Sequence, residues 1–254
     1  MHVTLEAGQP PVLCPFPPTP LQFIAFYLDD PVIAQKEGEG TFRKGGRCIV
    51  VGPQTTRVNL LVQESHRCFV IAFKPCGLYR LLGIPMNELF DDGFEGTELF
   101  GPEMNSITEH LQETGSFSDM VCIVEKFLLH QLDTLKSILP IDAAMEVLVR
   151  HEGLGSIDQI ASLACLSLRQ FERKCHERLG YSPKFFARVV RFSKAYRLRE
   201  MQPALSWTTI AHEAGYYDQM HFIRDFKQFA GITPTGLAEQ FAANPFPMQA
   251  PLSL

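Results

Sequence analysis

The 254-residue chain has no apolar run near the ~18 residues that a membrane span requires. Its opening residues, Met1-His2-Val3-Thr4-Leu5-Glu6, lack the basic start and apolar stretch of a secretory leader. Its seven cysteines are odd in number and follow no repeating spacing, unlike a secreted disulfide framework. These absences together point to a reducing cytoplasm. Catalytic signatures are missing as well: there is no Gly-rich phosphate loop, Gly-x-Ser-x-Gly elbow or His-Glu-x-x-His. His66, Cys68 and Cys76 could ligate a soft metal, but no fourth ligand has a fitting spacing, so neither metal nor cofactor is expected. The adjacent carboxylates Asp29-Asp30 and Asp91-Asp92 read as turns, not as a catalytic dyad.

Charge of one sign is scarce too, and the net charge of −5 opposes nucleic acid only until the chain is divided. Residues 140–243 hold 13 Lys+Arg against 11 Asp+Glu, whereas the remainder holds 10 against 17. An acidic part joined to a mildly basic part suggests two jobs. What is plentiful is apolar residue, 46% of the chain, enough for a sizeable core.

Residues 1–20 are rich in proline and read as an extended lead-in. From about Leu21 to Pro75 the pattern is β. Short β-branched and aromatic runs at Arg47–Val51, Arg57–Val62 and Cys68–Phe73 are punctuated by Gly45-Gly46, Gly52-Pro53 and Gln63–His66. A small antiparallel sandwich or barrel packages such runs. Later, Ser118 is placed to cap a helix whose Val121, Val124, Phe127, Leu128, Leu132 and Leu135 follow helical spacing. Pro140 marks the expected boundary. Beyond it, Asp142, Ser156, Ser167, Ser182, Ser206, Asp218 and Thr233 each suit an N-cap, because their side-chain oxygens accept unpaired first-turn N–H groups. Gln159 and Gln170 complete two capping boxes, and Pro183 and Pro234 occupy first helical positions. The expected fold is therefore α+β. A β-sandwich-like or barrel-like domain with helices spans 1–139, an all-α domain spans 140–243, and a flexible tail spans 244–254.

An internal repeat carries the function. Ile160-Ala161 and Ala164 recur fifty residues later as Ile210-Ala211 and Ala214. Phe171, Arg173, Gly180 and Pro183 recur fifty-one residues later as Phe222, Arg224, Gly231 and Pro234. Each copy reads as a short helix, a tight turn and a second helix. Ala161 and Ala211 let two steeply crossing helices approach. Phe171, Cys175 and Leu179, and likewise Phe222, Phe226 and Phe229, form one apolar stripe at spacings of three and four. The opposite faces carry Arg169, Glu172, Arg173 and His176 in one copy, and Gln219, Met220, Ile223, Arg224 and Lys227 in the other. Arg suits guanine, Gln suits adenine, and Met or Ile packs on a thymine methyl. That is the chemistry of a helix in a major groove. Any helical hairpin needs a buried stripe and a solvated face. Two copies joined by a basic segment (Arg188, Arg191, Lys194, Arg197 and Arg199) make a more specific signal.

The stretch from Ile141 to Phe241, above all Ala211 to Pro234, resembles the DNA-binding domain of the AraC/XylS family of transcription activators. The resemblance implies two helix-turn-helix units joined by a long helix, reading successive major grooves of double-stranded DNA. It puts base reading on Arg169, Glu172 and Arg173, and on Gln219, Met220, Ile223 and Arg224. Backbone contacts are expected from Ser167, Lys227, Arg188 and Arg191. Cys165 departs from the pattern, standing where the first turn often has glycine. Gly77 to Leu89 is similar to a region of a poorly understood branch of these regulators, whose N-terminal domains sense a small-molecule effector or dimerise. Double-stranded DNA is thus the expected partner, with an effector, a second copy of the chain and RNA polymerase compatible, and no membrane. An enzymatic N-terminal domain fused to the DNA-binding one is the alternative, although Cys14, Cys48, Cys68, Cys76 and Cys122 sit in no recognisable nucleophile motif. Residues 140–243 are expected to fold and bind DNA by themselves.

Overall fold

A computed structural model describes residues 2–4 (backbone), 10–62 and 65–237. The tail expected at 244–254 lies outside the described residues. Nine strands form two antiparallel sheets: β1 (His2–Thr4), β2 (Val12–Phe16), β3 (Gln22–Tyr27), β4 (Ile33–Lys36), β5 (Arg43–Lys44), β6 (Cys48–Val51), β7 (Val58–Val62), β8 (Ser65–Phe73) and β9 (Gly93–Glu95). One sheet runs β1-β8-β3-β6-β9 and the other β2-β7-β4-β5. The sandwich expected from the sequence is present, with helices after it.

Central strand β3 reads as a continuous apolar run because both of its faces are covered. Successive side chains point to opposite faces. Ile24 and Phe26 therefore join Cys48, Val50 and Phe69 against the helices, while Ala25 and Tyr27 join Ile49, Val51 and Leu60 between the sheets. The helices on the first face are α1 (Gly77–Leu82), α2 (Gly96–Phe100), α3 (Glu103–Glu113) and α4 (Phe117–His130). Their buried contributors include Leu78, Met104, Leu111, Val124 and Phe127.

Two expectations need correcting here. The proline-rich lead-in contains β2, which pairs with β7 in the register Val12↔Val62 to Phe16↔Val58. Pro15 removes one backbone donor, and a strand at the sheet edge tolerates this. Helix α4 is capped at Ser116, not at Ser118, which lies in its first turn.

The all-α part contains α5 (Pro140–Arg150), α6 (Ile157–Leu163), α7 (Leu168–Leu179), α8 (Pro183–Met201), α9 (Trp207–Glu213) and α10 (Gln219–Ala230), then a helical turn at 234–237. Ser167, Ser182, Ser206 and Asp218 each accept a first-turn N–H, from Gln170, Phe185, Thr209 and Met220 respectively. Ser156 occupies the N-cap of α6 without a side-chain cap bond, so only the Ser167–Gln170 capping box is formed. Asp142 lies within α5, behind its Leu139 cap. There it accepts the Leu139 N–H at 2.9 Å and pairs with Arg178 through two bonds of 2.8 Å.

Candidate nucleic-acid interface

Helices α6 and α7 form the first helix-turn-helix unit, and α9 and α10 form the second. In both, the repeated residues do the packing inferred for them. Ala161, Ala164, Phe171, Cys175 and Leu179 are buried in one core with Ile141, Met145 and Phe186. Ala211, Ala214, Phe222, Phe226 and Phe229 are buried in another with Val189, Phe192 and Tyr196. The second core is the more aromatic. Phe222 and Phe226 lie 4.6 Å apart between ring centroids, and Phe192 packs at 5.0 Å from Phe226. Helix α8 supplies side chains to both cores and so joins the units.

The turns match as well. Cys165 adopts φ +54 where the second unit has Gly215 at φ +77. A left-handed backbone is open to glycine but costs a side chain roughly 1–2 kcal/mol. Cys165 is exposed, so no packing offsets that cost.

With the stripes buried, the opposite faces turn outward. Arg169, Arg173, Gln219, Met220, Arg224 and Lys227 are exposed, whereas Glu172 and Ile223 are half-buried, Ile223 lying partly against the second core. Met220 is 57% exposed, an apolar side chain presented to solvent beside the Asp218 cap. Arg169, Arg173, Arg224 and Lys227 form no ion pair with any described residue, in contrast to most other basic groups of the domain. Their charge is available to an outside anion.

Arg188 and Arg191, expected at a DNA backbone, occupy internal positions instead. Arg188 reaches Asp225 at 2.7 Å and also bonds Gln228, and Arg191 donates to the Gly153 carbonyl at 2.7 Å. Lys194 spans the two units, bonding Glu152 beside the first and the Glu213 carbonyl at the end of α9. The basic segment seen in the sequence therefore serves largely to fasten the units together. Ser167 is bound to Gln170 as a cap, with its side chain at the exposed start of α7.

Residues that sequence reasoning did not single out tie the sandwich to the far ends of both outward-facing helices. At the end of α7, the buried Gln22 donates to the Leu179 carbonyl at 3.3 Å, and the Tyr181 hydroxyl donates to the Gln54 carbonyl at 2.6 Å. Burial pushes the Tyr181 hydroxyl well above its usual range, with the nearby Asp91 charge adding to this, so it remains a donor. Tyr79 of α1 lies 4.6 Å under the Arg178 guanidinium and donates to Glu177 at 2.7 Å. At the end of α10, Arg57 donates to the Ala230 carbonyl at 2.9 Å while Glu37 holds the same guanidinium at 2.7 Å. Cys76, from the turn after β8, is buried within the first unit's core. The only sequence signal was Arg178, a charge next to an apolar stripe, which demands a partner when buried.

The cysteines considered as nucleophiles are mostly held neutral. Desolvation by burial, with Glu95 nearby, pushes Cys48 up to about 12, and burial does the same for Cys68. Cys76 is raised well above its usual value, by burial first and then by the Asp142 charge. Among the described residues, no group of three or more His, Cys, Asp or Glu could hold a metal ion. No described helix is long and apolar enough to cross a membrane.

Comparison with known proteins agrees with this geometry. Residues 160–240 match a family described as a helix-turn-helix domain, and residues 5–95 match a domain of unknown function. An uncharacterized HTH-type transcriptional regulator of Haemophilus influenzae strain Rd is 32% identical over 94 residues, which are 37% of this chain and 31% of the relative. The chain thus spans about a third of the length of that curated relative. Apo ToxT, as a single-residue variant from Vibrio cholerae strain SCE256, superposes with a TM-score of 0.54 at 12% identity, covering 94% of this chain and 96% of ToxT. Wild-type ToxT with unsaturated fatty acid bound, from the same strain, gives 0.51 at 12% identity, covering 92% and 97%. That likeness shows the shared fold, a β-rich N-terminal part followed by a helical one. The chain carries at its C-terminus a helix-turn-helix domain of the AraC/XylS type.

Proposed function

We propose that this chain is a sequence-specific, DNA-binding transcription regulator that reads two successive major grooves with α7 and α10. The observation that carries this reading is the pair of equivalent outward faces, each with arginine that has no internal partner. Arg169, Glu172 and Arg173 read bases in the first groove, and Gln219, Met220, Ile223 and Arg224 in the second. Ser167 and Lys227 contact phosphates. Arg188 and Arg191 are left out of the interface because their internal partners occupy them. In this reading residues 140–243 bind DNA in the cytoplasm and residues 1–139 are a sensory or dimerisation domain. The shared fold with ToxT, which has been solved with unsaturated fatty acid bound, supports a small-molecule effector for the N-terminal domain. A second copy of the chain and RNA polymerase are the further partners.

Selection of bound sequences from a random duplex pool tests this, followed by affinity measurements on the selected site across salt concentrations. The expected result is one enriched sequence whose log K falls with log salt at about −0.9 per neutralised phosphate. No enrichment, together with a flat salt response, overturns the reading and leaves a helical interaction module.

A further inference from the structure

Helix α8 ties the two units along one side. A single tie leaves a hinge, because each unit could still rotate about the connection. A second tie placed off that axis would remove the rotation and fix the separation of the two outward faces. The segment from Gly52 to Arg57, between β6 and β7, sits where such a tie must be.

This short segment touches the C-terminal ends of both α7 and α10. Gly180 approaches Pro53 so closely that a Cβ at Gly180 would collide with it. Tyr181 donates to the Gln54 carbonyl, and three residues further on Arg57 donates to the Ala230 carbonyl. Gly180 and Gly231 are equivalent in the repeat and both adopt positive φ, +81 and +68. The sandwich thus grips the same point on each copy. At a helix C-terminus the last carbonyls lack helical partners and carry partial negative charge, which suits the Arg57 cation.

The segment is itself braced. Asp91 accepts the Thr55 N–H at 2.6 Å, the Thr56 N–H at 3.3 Å and the Thr55 hydroxyl, and it donates its own N–H to the Pro53 carbonyl at 2.8 Å. Asp91 holds φ +55 to do so, a conformation that carries strain. Gly52 lies against the Leu89 carbonyl with no room for a Cβ. A loop fixed this closely transmits position instead of absorbing it.

We propose that the Gly52–Arg57 segment, braced by Asp91, is a spacer that holds the two recognition helices at one separation and orientation, so that spacing selectivity on DNA belongs to the whole chain. This rests on the DNA-binding reading for its consequence, but not for its geometry. An effector that shifts the sandwich would act through this segment on the register of α10 relative to α7.

Two measurements on the full chain test it, with Arg57→Gln and Asp91→Ala as variants. Neither residue lies on the reading faces. The first needs no DNA: spin labels at Arg173→Cys and Lys227→Cys, in a Cys122→Ser, Cys165→Gly background, report the distance distribution between α7 and α10. A narrow distribution that broadens in both variants is expected, while thermal unfolding stays cooperative. An equally narrow distribution in both folded variants overturns the proposal. The second measures affinity for duplexes carrying both half-sites with the spacing changed by single base pairs. Displacing one helix from its bases costs the unaltered chain roughly tenfold or more, and the variants flatten that profile while affinity at the original spacing changes less. An unchanged profile in the variants overturns the spacer, whereas failure of the unaltered chain to bind any duplex overturns the DNA-binding reading and leaves the label distances to decide the geometry.

Discussion

Arg224 and Phe222 are two residues apart on α10 and face opposite ways, the first exposed and the second buried. Arg224→Ala is expected to relax preference at one or two base pairs by about 1–3 kcal/mol while the fold is kept. Phe222→Ala leaves a cavity among Trp207, Tyr216 and Phe226, so it should lower stability by roughly 3–5 kcal/mol and weaken binding to all sequences alike. Binding-site selection and chemical denaturation of both variants check this, and a swap of the two outcomes would mean that the helix is turned the other way. At the first turn, Cys165→Gly relieves a positive φ on an exposed residue, against the extra chain entropy that glycine loses on folding. A net gain of roughly 0.5–1 kcal/mol is expected in urea unfolding. The two faces were legible in the sequence because a helix repeats its exposure every three to four residues. The ion pairs were not: Asp142 and Arg178 are 36 residues apart, and Arg188 and Asp225 are 37 apart. No local pattern joins residues at that range. Asp142 read as a cap for the same reason, since a carboxylate near a helix start suits either job.

Among the elements, helix starts were the most legible feature, because a cap is a local bond within three residues. The structure still separates two starts that look alike in sequence. Ser167 and Gln170 bond reciprocally at the start of α7, whereas Ser156 makes no side-chain cap bond at the start of α6. Ser167→Ala should therefore cost about 1 kcal/mol of stability, and Ser156→Ala only a few tenths. Equal losses in thermal or urea unfolding would show that the Ser167 box contributes nothing beyond the residue type. Strand β2 was hidden by its prolines, which argue against a central strand but not against an edge. For α4, Ser116 and Ser118 are chemically equivalent caps two residues apart, and only packing of Met120, Val124 and Phe127 decides between them.

At the scale of the molecule, the boundary near Pro140 was readable from the change of period, but the contact across it was not. Residues 140–243 were expected to need nothing from the sandwich, yet Cys76 lies in the first unit's core and Gln22, Gln54 and Arg57 hold the ends of α7 and α10. Such contacts depend on how two folded surfaces meet, which no stretch of sequence encodes locally. The same arrangement governs the shape of the DNA site. Both recognition helices belong to one chain, and their faces differ: Arg169, Glu172 and Arg173 on one, Gln219, Met220, Ile223 and Arg224 on the other. A symmetric dimer of identical faces reads a palindrome, but two unlike faces in fixed order read an asymmetric site. Successive major grooves lie roughly 34 Å apart, or about 10 base pairs. One chain should therefore protect two adjacent major-groove segments on one side of the duplex, with no need for a palindrome. Inverting one half-site while keeping its position should abolish protection of that segment and spare the other. Footprinting of the full chain on the selected site and its inverted version measures this directly. Protection of a single groove, or a strict need for two inverted copies, would show that only one of the two units engages DNA, and the strained turn at Cys165 makes the first unit the one to fail.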